Sequence, residues 1–385
     1  MARINELVTP ACLIDSSRLQ ANARRMSEHC ERQGVALRPH VKTLKSLEAA
    51  QIYAPVPMPV TVSTLAEARA FAQAGYSDIL YAVGLTPNKL AAVRALLESG
   101  VALTVVTDSL PAARQLTELV NQQNAQQHNT TTQPLSVAIE IDTDGHRAGI
   151  TPESPDLLSV AQLLSQCPSL RFAGVMAHAG ASYGCFDEES RNHMAQQECD
   201  QTLIAVARLE AAGFDCEMVS VGSTPTVLSD VSREGITELR AGVYATFDLV
   251  MAGLGVCSVS DIAMSVVTCV IGQQPDKGWV LVDAGWMALS RDQGTSGHAN
   301  DCGYGLVCDI QGNVLSGWYV SQTNQEHGII QHVDGQEPDA AFAYGTMLRI
   351  LPVHACATAG QFGHYQVTED NQSISAIWSR VNGWE

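Results

Sequence analysis

A lysine at the end of a short apolar run is the residue best suited to covalent chemistry. The segment VALRPHVKT (35–43) has apolar residues at alternate positions and contains Arg38, His40 and Lys42 between them. Alternate residues of a strand point to the same side, so these three side chains are expected to share one face. Partial desolvation and neighbouring cations favour the neutral amine of Lys42, which could attack an aldehyde. The alternative is a lysine at the rim of the fold that forms a surface ion pair.

Two glycine-containing segments are suited to binding a phosphate group. They are VSVGSTPT (219–226) and ELRAGVY (238–244). Glycine lets the backbone approach an anion closely, and neighbouring hydroxyl groups can donate further hydrogen bonds. The alternative is ordinary turn chemistry, because Gly-Ser-Thr-Pro is also a favourable turn sequence. The predicted donors are Gly222, Ser223, Thr224, Gly242 and Tyr244.

A histidine and a cysteine two residues apart form a candidate metal pair. His354 and Cys356 lie in the apolar segment LPVHACATA (351–359), where a strand would point both side chains to one side. An imidazole nitrogen and a thiolate are good ligands for zinc. Two protein ligands would leave positions for water or substrate, as in catalytic sites. The alternative is a core histidine beside a buried cysteine.

Acidic residues and one further histidine are weaker candidates. Glu140, Asp142 and Asp144 alternate in EIDTDGHR and could hold a metal, orient Arg147 or cap the next turn. His327 in NQEHG could join a site or simply be solvated. The residues alone leave these alternatives open.

The elements that must position these residues follow a regular alternation. Eight short apolar runs alternate with amphipathic stretches, of which 65–75, 87–100 and 193–213 are predicted helices. Continuous apolar strands joined by helices predict a parallel sheet covered on both faces, and eight such units predict a (β/α)8 TIM barrel. The active site of such a barrel lies at the C-terminal ends of the strands, where the candidate residues fall. The runs are 35–41, 58–64, 78–83, 101–108, 134–142, 171–179, 216–223 and 238–244.

The pattern changes after about residue 255. Apolar runs then follow one another with glycine-rich turns and no helices between them, which predicts a mainly antiparallel β domain. The early run 11–17 precedes the barrel and is expected to pair with that domain. The predicted domains are a barrel over 16–255 and a β domain over 256–385, joined by 1–15 and carrying the His354–Cys356 pair. The polar stretch 121–133 is interpreted as a loop or a frayed helix end.

Composition excludes several classes of protein. The net charge of −18, from 22 basic and 40 acidic residues, argues against nucleic acid binding. There is no run of 18 apolar residues and no pattern of a secretory signal at the N-terminus. The 11 cysteines are scattered without a CxxC pair, which indicates reduced thiols and a cytoplasmic protein.

Taken together, the motifs resemble those of a known family. TPACLID, LRPHVKTLKS, EIDTDGHRAG, AHAGASY, VSVGSTPT, ELRAGVY and LPVHACATA resemble the fold-type III pyridoxal 5'-phosphate (PLP) enzymes, whose barrel is that of alanine racemase. More narrowly, the chain resembles the D-serine dehydratase / D-threonine aldolase family over nearly its whole length. The resemblance implies a dimer whose substrate is a small amino acid, without a nucleic acid or membrane partner.

The resemblance also implies roles for individual residues. Lys42 would carry PLP, and the five phosphate donors named above would bind its phosphate. Arg147, His178 and Tyr183 would lie beside the cofactor ring, and His354 and Cys356 would bind Zn²⁺ or another divalent metal. The predicted catalytic residues are Lys42, His40 and Tyr183.

The implied reaction is the elimination of water from a D-3-hydroxy amino acid, 3-hydroxyaspartate or D-serine, to give a 2-oxo acid and ammonia. In this hypothesis Lys42 removes the α-proton and the metal assists departure of the hydroxyl group. The alternatives are a D-threonine aldolase-type lyase and, less favoured, an amino-acid racemase or a non-catalytic PLP-binding protein. A second substrate carboxylate would need another donor, for which Arg291 and His327 are candidates.

Overall fold

A computed structural model describes residues 2–126 and 133–384 of the chain. Of the predicted polar stretch 121–133, residues up to Gln126 belong to a helix, and residues 127–132 lie outside the described residues. The strands are β1 (Ala11–Asp15), β2 (Ala36–Pro39), β3 (Val60–Val62), β4 (Asp78–Gly84), β5 (Ala102–Thr107), β6 (Leu135–Ile141), β7 (Leu170–Ala177), β8 (Met218–Val221), β9 (Glu238–Ala241), β10 (Met264–Gln274), β11 (Trp279–Val282), β12 (Gly305–Cys308), β13 (Val314–Thr323), β14 (Gly328–His332), β15 (Met347–Pro352), β16 (His364–Thr368) and β17 (Ala376–Ser379). The helices are α1 (Ser16–Gln33), α2 (Leu47–Tyr53), α3 (Leu65–Gln73), α4 (Leu90–Glu98), α5 (Leu110–Gln126), α6 (Pro155–Gln166), α7 (Glu188–Ala211), α8 (Thr224–Val227), α9 (Leu249–Gly253), α10 (Trp286–Leu289) and α11 (Ala355–Ala359).

Eight parallel strands form the predicted barrel. Their order is β2-β9-β8-β7-β6-β5-β4-β3, and every paired neighbour is parallel. A parallel bridge between His40 and Thr61 joins the first and last members of that order. β6 is buried at every position, as expected for a strand covered on both faces. The predicted TIM barrel is therefore confirmed.

The predicted barrel helices are confirmed, with shifts at their ends that capping explains. α3 begins after Thr64, whose side chain accepts a hydrogen bond from the backbone of Glu67. α7 begins at Glu188 rather than at the predicted position 193, because Asp187 and Ser190 form a capping box. The predicted helix 87–100 is a 3₁₀ turn followed by α4. No helix in the described part of the chain is long and apolar enough to span a membrane.

A second sheet contains the remaining nine strands. Its order is β11-β14-β13-β12-β15-β10-β1-β16-β17, and β11 also pairs with β10. β1 pairs with β10 antiparallel and with β16 parallel, which confirms the expectation for the run 11–17. Val266, Val280, Val320, Ile330 and Ile350 are buried together in the core of this sheet.

The chain divides into two compact units, one for each sheet. Their ranges differ from the predicted domains mainly at 16–25, 43–53 and 243–255, which the sequence interpretation assigns to the barrel. Segment 43–53 contains α2, which packs along β17 in the unit of the nine-stranded sheet. The functional domain boundaries stay a prediction. The first unit comprises 1–25, 43–53 and 243–382, and the second comprises 26–42, 54–242 and 383–385.

Candidate active site

Lys42 lies in a turn just after β2, at the C-terminal end of the barrel strands. Its side chain is half-buried and passes beside the backbone of Gly242. A Cβ atom at Gly242 would lie 3.8 Å from Lys42 Cε and 3.1 Å from the carbonyl oxygen of His40. Lys42, His40 and the predicted phosphate residue Gly242 are thus brought together within the barrel unit.

Arg38 does not join this group, contrary to the expectation of a shared strand face. Its guanidinium is buried, with Nε 2.8 Å from Glu238 Oε2 and Nη1 2.8 Å from Asp78 Oδ1. Both carboxylates belong to the first residues of their strands, whereas Lys42 follows a strand end. The expectation is wrong because β2 ends at Pro39, so strand alternation does not extend to Lys42.

Two histidines beside Lys42 are held in the neutral form. Burial lowers the pKa of His178 to about 3, with the charges of Lys42 and Arg240 acting in the same direction against a hydrogen bond to Gly222. Burial, Lys42 and Arg240 also lower the pKa of His40 well below its ordinary value. His178 Nδ1 lies 3.0 Å from the carbonyl oxygen of Gly222, so a neutral His178 donates there and keeps Nε2 as an acceptor.

The predicted phosphate segment after β8 has a free donor. Ser223 caps α8 by accepting a hydrogen bond from the backbone of Thr226. The hydroxyl oxygen of Thr224 is buried and has no hydrogen-bond partner within the described residues. Gly222 has φ +132°, and a Cβ atom there would lie 2.4 Å from the carbonyl oxygen of Arg240. The unpartnered hydroxyl of Thr224 could donate a hydrogen bond to a phosphate oxygen. Gly222, where no other residue fits, would let the backbone approach the same group.

The other predicted cofactor residues have these surroundings. The ring centroid of Tyr183 lies 6.5 Å from that of His178. Arg147 is exposed, with Nη2 3.4 Å from Glu140 Oε1. The Tyr244 hydroxyl is buried and donates to the carbonyl oxygen of Tyr53 at 3.2 Å, which commits that proton to the fold. The prediction that the Tyr244 hydroxyl donates to the phosphate is therefore not supported. Only the backbone amide of Tyr244 stays a predicted phosphate donor.

The acids after β6 act mainly on their own loop. Asp142 Oδ1 accepts hydrogen bonds from the backbone amides of Asp144 and Gly145, at 3.2 and 2.7 Å. Asp144 Oδ1 accepts from the backbone amide of His146 at 3.1 Å, and its Oδ2 accepts from the amide of Ala181, outside this loop, at 2.8 Å. Of the alternatives open from the sequence, the turn-capping interpretation is confirmed for these two residues. Glu140 pairs with Arg147, as described above.

Two buried charged residues of the barrel were missed by the sequence analysis. Arg240, in β9, donates to Ser220 Oγ and to the carbonyl oxygen of Ala177, and its charge lowers the pKa of both histidines. Glu198, in α7, accepts hydrogen bonds from the backbone amides of Gly222, a predicted cofactor residue, and of Ala179, which follows the predicted cofactor residue His178. The only signal in the sequence is a charge at an otherwise apolar position, which does not by itself indicate a role.

In the other unit, His354 and Cys356 lie together after β15. They are not two positions of one strand, because β15 ends at Pro352 and His354 is the residue just before α11. His354 Nδ1 is 2.6 Å from Asp292 Oδ2, and Cys356 Sγ is 3.1 Å from Thr43 Oγ1. Burial would lower the pKa of His354, but hydrogen bonds to Asp292 and Cys356 outweigh it and raise the pKa to about 11.

The donor set of this pair fits a divalent metal. Imidazole nitrogen and thiolate sulfur are ligands that suit zinc. No group of three or more His, Cys, Asp or Glu side chains that could hold a metal occurs within residues 2–126 and 133–384. A metal on this pair would therefore keep positions for water or substrate, as the sequence predicts. His327 is exposed in the loop between β13 and β14.

The sequence matches two family models and full-length relatives. The alanine racemase N-terminal domain matches residues 14–249, and a putative serine dehydratase domain matches residues 263–368. The chain is 46% identical over 383 residues to D-threo-3-hydroxyaspartate dehydratase of Delftia sp. (strain HT23), with 98% of each protein covered. It is 29% identical to D-serine dehydratase of Dictyostelium discoideum, with 97% of each covered.

Solved structures give the same result. The D-threo-3-hydroxyaspartate dehydratase from Delftia sp. HT23 has a TM-score of 0.94 at 46% identity, with 100% of both chains covered. A cysteine-to-alanine variant of D-threo-3-hydroxyaspartate dehydratase in its metal-free form has a TM-score of 0.93 at 44% identity over 100% of both chains. The motifs, the fold and these relatives agree: the chain belongs to the D-serine dehydratase / D-threonine aldolase family of fold-type III PLP enzymes.

Proposed function

We propose that this chain is a PLP- and metal-dependent dehydratase acting on a D-3-hydroxy amino acid. The substrate would lose water to give an enamine, which then takes up water and yields a 2-oxo acid and ammonia. 3-Hydroxyaspartate would give oxaloacetate, and D-serine would give pyruvate. The observation that carries the proposal is the position of Lys42, at a barrel strand end, beside Gly242 and two neutral histidines.

The residues of the barrel unit fit PLP. Its aldehyde would be held by the amine of Lys42, and when bound it would stabilise negative charge at the substrate α-carbon. Seven other residues of this unit are proposed to hold it, together with Tyr244, which belongs to the unit of the nine-stranded sheet. They are Arg147, His178, Tyr183, Gly222, Ser223, Thr224, Gly242 and Tyr244.

The groups around Lys42 support a role for it as the base that takes the α-proton. His40 and His178 are neutral, so neither adds positive charge beside the amine. His40 Nδ1 is buried and lacks a hydrogen-bond partner within the described residues, so it has an unused hydrogen-bonding position for a bound group. We assign His40 and Tyr183 as auxiliary catalytic residues on this basis and on their proximity to Lys42 and His178.

We assign the metal role to His354 and Cys356, with Zn²⁺ as the proposed ion. A divalent metal there would act as a Lewis acid on the leaving hydroxyl, since hydroxide leaves poorly without help. The similar D-threo-3-hydroxyaspartate dehydratase supports a metal role, because its cysteine-to-alanine variant has been solved in a metal-free form. A cytoplasmic homodimer belongs to the same proposal, and the resemblance to the family is its support.

The decisive experiment is product analysis with a panel of D- and L-3-hydroxy amino acids. Purified protein supplied with PLP and Zn²⁺ is expected to release ammonia and a 2-oxo acid from D-substrates, and a chelator should abolish this release. Glycine and an aldehyde would instead identify an aldolase. Inversion of an amino acid without ammonia would identify a racemase, and no turnover of any kind would leave a PLP-binding protein.

The cofactor assignment has its own test. Wild-type protein with PLP should give a coloured adduct that borohydride fixes covalently on a peptide containing Lys42. Lys42→Ala should give no such adduct, whereas Lys277→Ala, at an exposed lysine of the other unit, should behave as wild type. A fixed adduct in the Lys42→Ala protein would contradict the proposal.

A further inference from the structure

The imidazole of His354 is held by a carboxylate to which no role was assigned from the sequence. Asp292 lies just after α10, and its Oδ2 is 2.6 Å from His354 Nδ1. The backbone that brings Asp292 there is unusual, since Ser290 has φ +74°, and Ser290 Oγ accepts a hydrogen bond from the Asp292 amide at 3.2 Å. Asp292 is therefore held in place by its own loop as well as by the histidine.

A second carboxylate fixes the backbone between the two metal candidates. Asp248 is buried, and its Oδ2 accepts a hydrogen bond from the amide of Ala355 at 2.9 Å. Its Oδ1 accepts from the amide of Met251 at 3.0 Å, so both carboxylate oxygens are bonded to the backbone. The path of the chain from His354 to Cys356 is thus fixed, and the rotation of the imidazole is left to Asp292.

The nitrogen that faces a metal is set by what the other nitrogen contacts. Nδ1 of His354 is committed to Asp292, which leaves Nε2 to coordinate. The thiol of Cys356 is the other hydrogen-bond partner of this ring. Carboxylates in this position fix the tautomer and orientation of metal-binding histidines and make them better ligands.

We propose that Asp292 is a positioning residue for the metal, which holds His354 with Nε2 available beside Cys356 and thereby sets the affinity for the ion. The inference rests on the proposed metal role of His354 and Cys356, and it adds a residue through which that role is tuned. Asp292 would touch neither the substrate nor the metal.

The test measures metal binding directly, with Zn²⁺ or Co²⁺ alone as the probe. Zn²⁺ affinity would be determined by competition with a chromophoric chelator, and Co²⁺ would report the cobalt–thiolate absorbance of Cys356. Asp292→Ala and Asp292→Asn are expected to weaken Zn²⁺ binding about 10–100-fold. Asp292→Glu should recover part of that affinity, because it restores the negatively charged acceptor for Nδ1 that the asparagine amide oxygen does not supply. Asp339→Asn, at an exposed acid of the same unit, should bind as wild type.

The outcomes separate this inference from the proposed function. If wild type binds Zn²⁺ and both Asp292→Ala and Asp292→Asn bind it with the same affinity as wild type, the inference is wrong. The proposed metal role of His354 and Cys356 would be unaffected by that result. No binding by wild type would overturn both. If Asp292→Ala fails to fold, Asp292→Asn keeps the side-chain volume and decides the question. A loss of affinity in folded protein, with a changed cobalt–thiolate band, supports the inference.

Discussion

Glu198 Oε1 accepts a hydrogen bond from the backbone amide of Gly222 at 3.0 Å. The same oxygen accepts from the amide of Ala179 at 2.8 Å, and Glu198 is fully buried. Ala179 follows His178, and Gly222 precedes Ser223, so one carboxyl group ties together two loops that carry predicted cofactor residues. A hydrogen bond from His178 Nδ1 to the carbonyl oxygen of Gly222 joins the same two loops a second time.

Removal of this carboxyl group should weaken cofactor binding. Glu198→Ala leaves two buried amides without an acceptor, at a cost of about 1–3 kcal/mol each, and frees both loops to move. We expect PLP affinity, followed by the absorbance of the bound cofactor, to fall at least ten-fold, and Glu198→Gln to fall less because its amide oxygen still accepts. Glu210→Gln, on an exposed position of α7, is the control. Unchanged PLP affinity in Glu198→Ala would count against the link.

The same residue should make stability depend on pH. Burial raises the pKa of Glu198, against the opposing hydrogen bond from Ala179. The folded-state pKa of Glu198 therefore lies above the unfolded value of about 4.3. The neutral acid contributes to the free energy of unfolding in full below about pH 4.3, and this contribution is lost as pH rises through the folded-state pKa. The Tm of Glu198→Gln relative to that of wild type should therefore increase as the pH is raised above about 4.3. A Tm difference that stays constant above that pH would contradict the raised pKa.

Gly222 should tolerate no side chain. Its φ of +132° and the 2.4 Å approach of a Cβ atom to the Arg240 carbonyl both exclude one. We expect Gly222→Ala to lower Tm markedly and to abolish PLP binding. Gly213→Ala is a matched control, because Gly213 also has a positive φ, +87°, but nothing lies within 4 Å of its Cβ position. That control should lose only about 1–2 kcal/mol, so equal losses for the two variants would contradict a steric role for Gly222.

Thr43 should assist the metal through Cys356. Its hydroxyl oxygen lies 3.1 Å from Cys356 Sγ and is buried, and a hydrogen bond donated to a thiolate stabilises it as a ligand. Thr43→Val keeps the shape but removes the donor, so Zn²⁺ affinity should fall several-fold, whereas Thr43→Ser should retain it. Competition with a chelator measures both. Equal affinity in Thr43→Val and wild type would show that the contact is structural only.

Arg291 should favour a substrate with a second carboxylate. Its guanidinium carbon lies 4.5 Å from the centroid of Trp286, and it is exposed next to Asp292. In 3-hydroxyaspartate the second carboxylate shares a carbon with the hydroxyl group, so a cation near the metal pair would meet it. Arg291→Ala should lower kcat/KM for 3-hydroxyaspartate about ten-fold or more and leave D-serine unchanged. The same selective loss in His327→Ala, with Arg291→Ala unaffected, would assign the role to His327 instead.

The sequence by itself determined the architecture and the main chemical candidates. Continuous apolar runs such as β6 must be covered on both faces, and eight of them in alternation with helices leave few arrangements other than a barrel. The barrel position then brings Lys42, Gly222 and Gly242 to related strand ends, because parallel strands end at the same rim. The pairing of the first run with the β domain also followed from the pattern.

Only the tertiary structure decided which charged groups act together. Glu198, Asp292 and Thr43 are distant in sequence from the residues that they contact, and nothing in their local pattern indicates those contacts. Arg38 and Arg240 both occupy buried strands, yet carboxylates at strand beginnings hold Arg38 away from Lys42, whereas Arg240 lies close enough to perturb both histidines. Such pairings depend on the register of strands and the rotamers of buried side chains, which periodicity does not specify.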